Sequence, residues 1–174
     1  TIDLPKASIV GHSMGAFVGT QVAVHYPDKL DRLVLLDGGS LETPPRPPHL
    51  IRIQNSTTLA ETREYFELMF YDKSRVTDPM VRDNYMRRLR AGFPITKMQE
   101  SRVQEIGFVS KDEAAAIKAP TLILWGRHDE LLPVGDGKLL DRVIPNSKLI
   151  VFEKSGHIPQ AEQPEEFNQA LHDF

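Results

Sequence analysis

Ser13, Asp129 and His157 stand where a hydroxyl, an imidazole and a carboxylate together make a nucleophile. Ser13 is central in Gly11-His12-Ser13-Met14-Gly15. The apolar run Ala7 to Val10 leads in, and Phe17, Val18, Val22 and Ala23 follow at helical spacing. A serine between a strand and a helix, flanked by glycines, sits on a tight turn in strained backbone. Gly11 and Gly15 are expected to let strand and helix approach closely. The helix N-terminus beneath Ser13 favours developing negative charge, and the Met14 N–H can donate to an oxyanion. His12 reads as a packing or hydrogen-bonding residue.

A serine hydroxyl needs a base, and the base needs an acceptor that fixes its tautomer. Thr121 to Gly126 is a buried-strand pattern followed by Arg127-His128-Asp129-Glu130, which places Asp129 in the loop after a strand. Leu149 to Phe152 leads into Glu153-Lys154-Ser155-Gly156-His157, which places His157 in the same way. Ligand chemistry in parallel sheets gathers at that edge. His128 competes for the base and Glu130 for the acid. His25, His49 and His172 have no strand-end context. The His and carboxylate residues show no metal-ligand spacing, and no metal or organic cofactor is expected.

The elements that must position these residues alternate. After the first strand and helix, Tyr26-Pro27-Asp28 stops the helix. Arg32 to Leu36 is a second apolar run, closed by Asp37-Gly38-Gly39. Pro44-Pro45-Arg46-Pro47-Pro48 then marks entry to an inserted, helical module. Thr58 with Glu61 reads as a capping box, with Leu59, Tyr65, Phe66, Met69 and Phe70 as its apolar stripe. Asp78-Pro79 reads as an N-cap and first helical residue of a helix to about Arg90, with Gly92 past its end. A third helix is expected over Ile95 to Ile106. Ser110 with Glu113 opens a short helix before Pro120. Gly135 to Val143 is helical, Lys148 to Phe152 strand-like, and Pro164 opens a last helix. The reading is an α/β chain with about four parallel strands, residues 1–40 and 110–174 forming the core and 41–109 a helical insertion.

Composition excludes several partners. The net charge is −3, with 40% hydrophobic and 26% charged residues and no cysteine. Nothing suggests a nucleic-acid partner, and no apolar stretch is long enough to span a bilayer. The expected setting is reducing and cytoplasmic.

The segments Gly-His-Ser-Met-Gly, Ala-Pro-Thr-Leu-Ile-Leu-Trp-Gly-Arg-His-Asp and Ser-Gly-His-Ile-Pro-Gln-Ala-Glu-Gln-Pro-Glu-Glu-Phe resemble those of α/β-hydrolase fold enzymes. The resemblance covers the C-terminal two-thirds of that fold. It implies a nucleophile elbow at Ser13, Asp129 as acid and His157 as base, in the family's chain order. The insertion, from Tyr65 to Asp72 and Val76 to Asp78, is similar to the cap of meta-cleavage-product hydrolases. Those enzymes break C–C bonds in vinylogous diketo acids. A cap arginine meets the substrate carboxylate there; Arg90 is the best match and Arg88 the next. The chain departs from that family at Ile158, where its members usually have Trp.

The resemblance further implies that strands preceding the nucleophile, and the loop with the second oxyanion donor, belong before Thr1. The strand ending at Val10 is then an open edge. It is expected to pair with another copy or with an N-terminal segment. The expected activity is hydrolysis of an ester or a C–C bond beside a carbonyl in a small molecule. Two alternatives come from other classes: a cofactor-free perhydrolase (haloperoxidase) or lyase, and a catalytically idle binding module.

Overall fold

The computed structural model describes residues 4–41, 48–49, 55–91 and 107–174. The expected helix over 95–106, Gly92 and most of the proline-rich stretch lie outside these residues. Strand β1 (Ala7–His12), helix α1 (Met14–His25) and strand β2 (Leu30–Leu36) come first. Helices α2 (Leu59–Met69), α3 (Asp78–Arg90) and α4 (Lys111–Ala115) follow. The chain ends with β3 (Thr121–Gly126), α5 (Val134–Val143), β4 (Ser147–Phe152), α6 (Pro159–Glu162) and α7 (Pro164–His172).

Among the described residues the strands form one parallel sheet in the order β1-β2-β3-β4. The apolar runs of β2 and β3 are continuous because both faces are covered. Side chains alternate between faces with period two. Leu33, Leu35, Ile123 and Trp125 join Ala16 and Ala23 of α1, Ala114 of α4 and Leu140 of α5 on one side. Val34, Leu36, Leu122 and Leu124 join Phe167 and Ala170 of α7 on the other. This is a three-layer α/β architecture, as expected, with the sheet central.

The covering is incomplete at β1. Val10 is level with buried Val34, yet it is 59% exposed. Val18 and Leu4 are also exposed.

Helices α2 and α3 build a small core of their own from Phe70, Val76 and Val81, with Phe66, Met69, Met80 and Ile158 against it. Local details differ from the expectation. Leu59 of the expected stripe is largely exposed, because it lies in the first turn, outside this cluster. The α3 N-cap is Thr77, whose hydroxyl accepts from Met80 N–H at 3.4 Å. Asp78 is the first helical residue and ion-pairs with Arg63. At α2, Thr58 Oγ1 accepts from Glu61 N–H at 3.2 Å, while the Glu61 carboxylate takes the Thr57 N–H, one residue earlier than a capping box requires. The Ser110–Glu113 box is complete.

The two elbow glycines are not equivalent. A Cβ on Gly11 would stand 2.3 Å from the Gly15 carbonyl oxygen, inside the turn. A Cβ on Gly15 would meet nothing within 4 Å. Of these two positions, only 11 demands glycine for the close approach of β1 to α1. Gly11→Ala is expected to cost about 3 kcal/mol or more by overpacking against backbone. Gly15→Ala is expected to be neutral or to gain up to about 1 kcal/mol from helix propensity. Urea unfolding of the two variants checks the contrast.

Candidate active site

Strand register brings the site to one edge. His12 is level with Leu36, and Leu36 with Leu124. Backbone bonds continue the ladder one step past the strands: Ser13 N–H donates to Leu36 O, Asp37 N–H to Leu124 O and Arg127 N–H to Phe152 O, each at 2.9–3.0 Å. Four segments thus leave the sheet at its C-terminal edge, carrying Ser13, Asp37, Asp129 and His157.

Ser13 has φ 53° and ψ −111°, a conformation that only a constrained turn imposes on a non-glycine residue. It is the N-cap residue of α1. Met14 is the first helical residue, and the first N–H groups of a helix have no partner within it.

His157 and Asp129 meet directly. His157 Nδ1 lies 2.7 Å from Asp129 Oδ2, and both side chains are buried. The Asp129 Oδ1 accepts from the Leu131 and Leu132 N–H groups at 2.8 and 2.9 Å. An ionised Asp129 makes Nδ1 the proton-bearing nitrogen and leaves the lone pair on Nε2.

The backbone of His157 is held as firmly as its ring. Its N–H donates to Met69 O, at the end of α2, at 2.7 Å. Its carbonyl accepts from His12 Nε2 at 2.7 Å, and the two imidazole rings are 4.9 Å apart. The loop can lie so close because of a glycine pair. A Cβ on Gly126 would stand 1.8 Å from Gly156 O.

The segment after α2 grips both site loops. Tyr71 stacks on His128 at 4.5 Å, and Lys73 pairs with Glu130 at 2.6 Å. The Glu162 carboxylate accepts from Asp72 N–H at 3.0 Å and from Gly156 N–H at 2.7 Å. His128 and Glu130, the two competitors, are therefore engaged by this segment and lie apart from the Asp129–His157 bond. His25 bonds Gln21, His172 lies beside Asp173, and His49 is exposed. On α3, Arg90 is exposed at the last turn. Arg88 is half-buried, with Nη1 donating to Ser56 Oγ at 2.9 Å.

Sequence reasoning missed Asp37. It had the same strand-end context as Asp129 and His157, but the following Gly38-Gly39 made it read as a plain turn. It has φ 42° and is fully buried, and its Oδ1 accepts from Gly126 N–H at 2.8 Å. Asp37, Asp129 and His157 each offer a ligand-type atom within 4.8 Å of the others. In the tautomer just described, Nδ1 carries the proton given to Asp129 and has no lone pair for a metal.

A match to the alpha/beta hydrolase fold family spans residues 1–164. The chain belongs to that family. It is 30% identical over 184 residues to a 2-hydroxy-6-oxononadienedioate/2-hydroxy-6-oxononatrienedioate hydrolase of Paraburkholderia phymatum, covering 100% of this chain and 64% of that one. It is 26% identical to a 2-hydroxy-6-oxo-6-phenylhexa-2,4-dienoate hydrolase of Comamonas testosteroni, covering 99% of this chain. A solved meta-cleavage product hydrolase from Pseudomonas fluorescens superposes with a TM-score of 0.86 at 26% identity, over 97% of this chain and 64% of that one. The chain thus spans about 64% of the length of the relatives it matches. No helix among the described residues is long and apolar enough to cross a membrane.

Burial, and the neighbouring His157, hold the His12 pKa below its ordinary value; the bond to the His157 carbonyl and the Asp129 charge only partly offset this. Well above about pH 6.5 the ring is neutral folded or unfolded, and its contribution is whole. As pH falls through that value, the unfolded chain takes up a proton that the fold resists, and stability is lost. Thermal unfolding at about pH 7.5 and about pH 5 should show a larger drop in wild type than in His12→Gln.

Proposed function

We propose that the chain carries the Ser-His-Asp site of a serine hydrolase, and that its substrate is a meta-cleavage product, cut at the C–C bond beside a carbonyl. The observation that carries this reading is the buried 2.7 Å bond between His157 Nδ1 and Asp129 Oδ2, at the sheet edge from which the strained Ser13 projects. The relatives' names supply the substrate class. An ester is the second substrate, since the same acyl transfer serves both.

His157 Nε2 takes the Ser13 proton as Oγ attacks the carbonyl carbon. The oxyanion accepts from Met14 N–H at the start of α1, and the charged imidazole is stabilised by Asp129. In the C–C reaction the substrate first ketonises, so that the departing carbon leaves as a stabilised carbanion and takes the proton held by His157, which returns the imidazole to its neutral form. Water then attacks the acyl-enzyme, giving its proton to His157 and releasing the acid and Ser13. Arg90, with Arg88 next, is proposed to receive the substrate carboxylate; Arg90 is exposed at the end of α3, and Arg88 is half-buried with its Nη1 on Ser56 Oγ. Residues 41–109 act as the cap, and the separate core around Phe70, Val76 and Val81 supports that division. Neither the perhydrolase or lyase alternative nor the idle module gains support from the relatives described above, which are named hydrolases.

Fluorophosphonate labelling read by intact mass tests the site. Wild type is expected to gain one adduct and Ser13→Ala none. Asp129→Asn should slow labelling by about 10⁴-fold through the wrong imidazole tautomer. An unlabelled wild type would remove the reading.

The exposed Val10 on β1 supports the reading that this strand pairs with another copy or with an N-terminal segment. If a second copy is the partner, sedimentation at micromolar concentration is expected to show a species heavier than the 19.7 kDa chain, and a clean monomer would refute pairing between copies.

A further inference from the structure

Asp37 has no part in the mechanism above, yet it is wholly buried beside two of its groups. The charged and titratable groups around it are Asp129 after β3, His157 after β4, Glu162 in α6, and His12, level with Leu36 on β1. Two buried carboxyls this close cannot both ionise cheaply. The donors decide which keeps the proton. Asp129 receives two backbone N–H groups and the imidazole. Asp37 receives one, from Gly126, and its Oδ2 is buried with no donor. A bare oxygen facing a carboxylate is costly, but the same oxygen carrying a proton is a donor.

We propose that Asp37 is a protonated positioning residue that donates from Oδ2 to the Asp129 carboxylate, holding Asp129 ionised and oriented toward His157. Three facts fit it. Burial and the Asp129 charge push the Asp37 carboxyl well above the ordinary aspartate range. The N–H of Asp37 bonds Leu124 O, and the Gly126 N–H at 2.8 Å holds its side chain by Oδ1. The φ of 42° is one that Asp and Asn tolerate better than other side chains. The role in catalysis rests on the hydrolase reading; the proton on Asp37 does not.

The test compares wild type, Asp37→Asn and Asp37→Ala. In the infrared at neutral pH, wild type is expected to show the carbonyl band of a protonated carboxylic acid, and Asp37→Asn to lack it. Identical spectra would overturn the proposal. In low-field proton NMR, the His157 Nδ1–H resonance should keep its position in Asp37→Asn and move in Asp37→Ala. Fluorophosphonate labelling of Ser13 should slow by about 10- to 100-fold in Asp37→Ala, as expected for losing a hydrogen bond to a charged group. It should return to within about threefold of wild type in Asp37→Asn, whose amide keeps both the donor and the acceptor. Labelling of Asp37→Ala at the wild-type rate, or of Asp37→Asn as slowly as Asp37→Ala, would overturn the positioning role. If Asp37→Ala does not fold, the infrared comparison of the other two proteins decides. A wild type that shows the band and takes no probe supports the proton on Asp37 and refutes the hydrolase reading.

Discussion

The level register of a parallel sheet buried on both faces is the constraint on which everything else rests. Parallel pairing with Leu36 opposite His12 and Leu124 opposite Leu36 ends the strands together. A one-residue slip would turn Leu33 and Leu35 to the wrong helix layer and unseat the core. The same slip would carry Ser13, Asp37 and Asp129 out of line. Core packing thus sets which strand ends meet, and local hydrogen bonds to Asp129, Asp37 and His157 fix the polar groups there.

Much of this was legible because the signals were local and strong. The Gly11-to-Gly15 motif, the unbroken Leu/Val/Ile runs and the Ser110–Glu113 box each act within a few residues, and each formed. The losses came where a long-range partner decided the outcome. Asp78 resembled a cap, but Arg63 on the preceding helix draws its carboxylate and Thr77 takes the helix end. Leu59 matched the helical period, but the cluster it would join lies at the other end of α2. Gly15 resembled a spacing glycine, but the crowding falls only at Gly11. Asp37 escaped notice because nothing in its own sequence neighbourhood says that two other strand ends converge on it.

Among the described residues, the segment from α2 to α3 is tied to the loops at the sheet edge without sharing the sheet's core. Its apolar cluster is separate, and Ile158, the residue after His157, is the sheet domain's apolar link to it. Among the described residues the other ties are the Tyr71–His128 ring stack and polar contacts, several of them exposed. Exposed ion pairs such as Lys73–Glu130 contribute little each. The carboxylate of Glu162 matters more for geometry, since it accepts backbone N–H groups from both sides of the junction.

The bond from His157 N–H to Met69 O has a mechanical meaning. The residue that bears the imidazole is stitched by its own main chain to the end of α2. Lifting that helix end breaks a hydrogen bond at the histidine itself, whatever the side chains do.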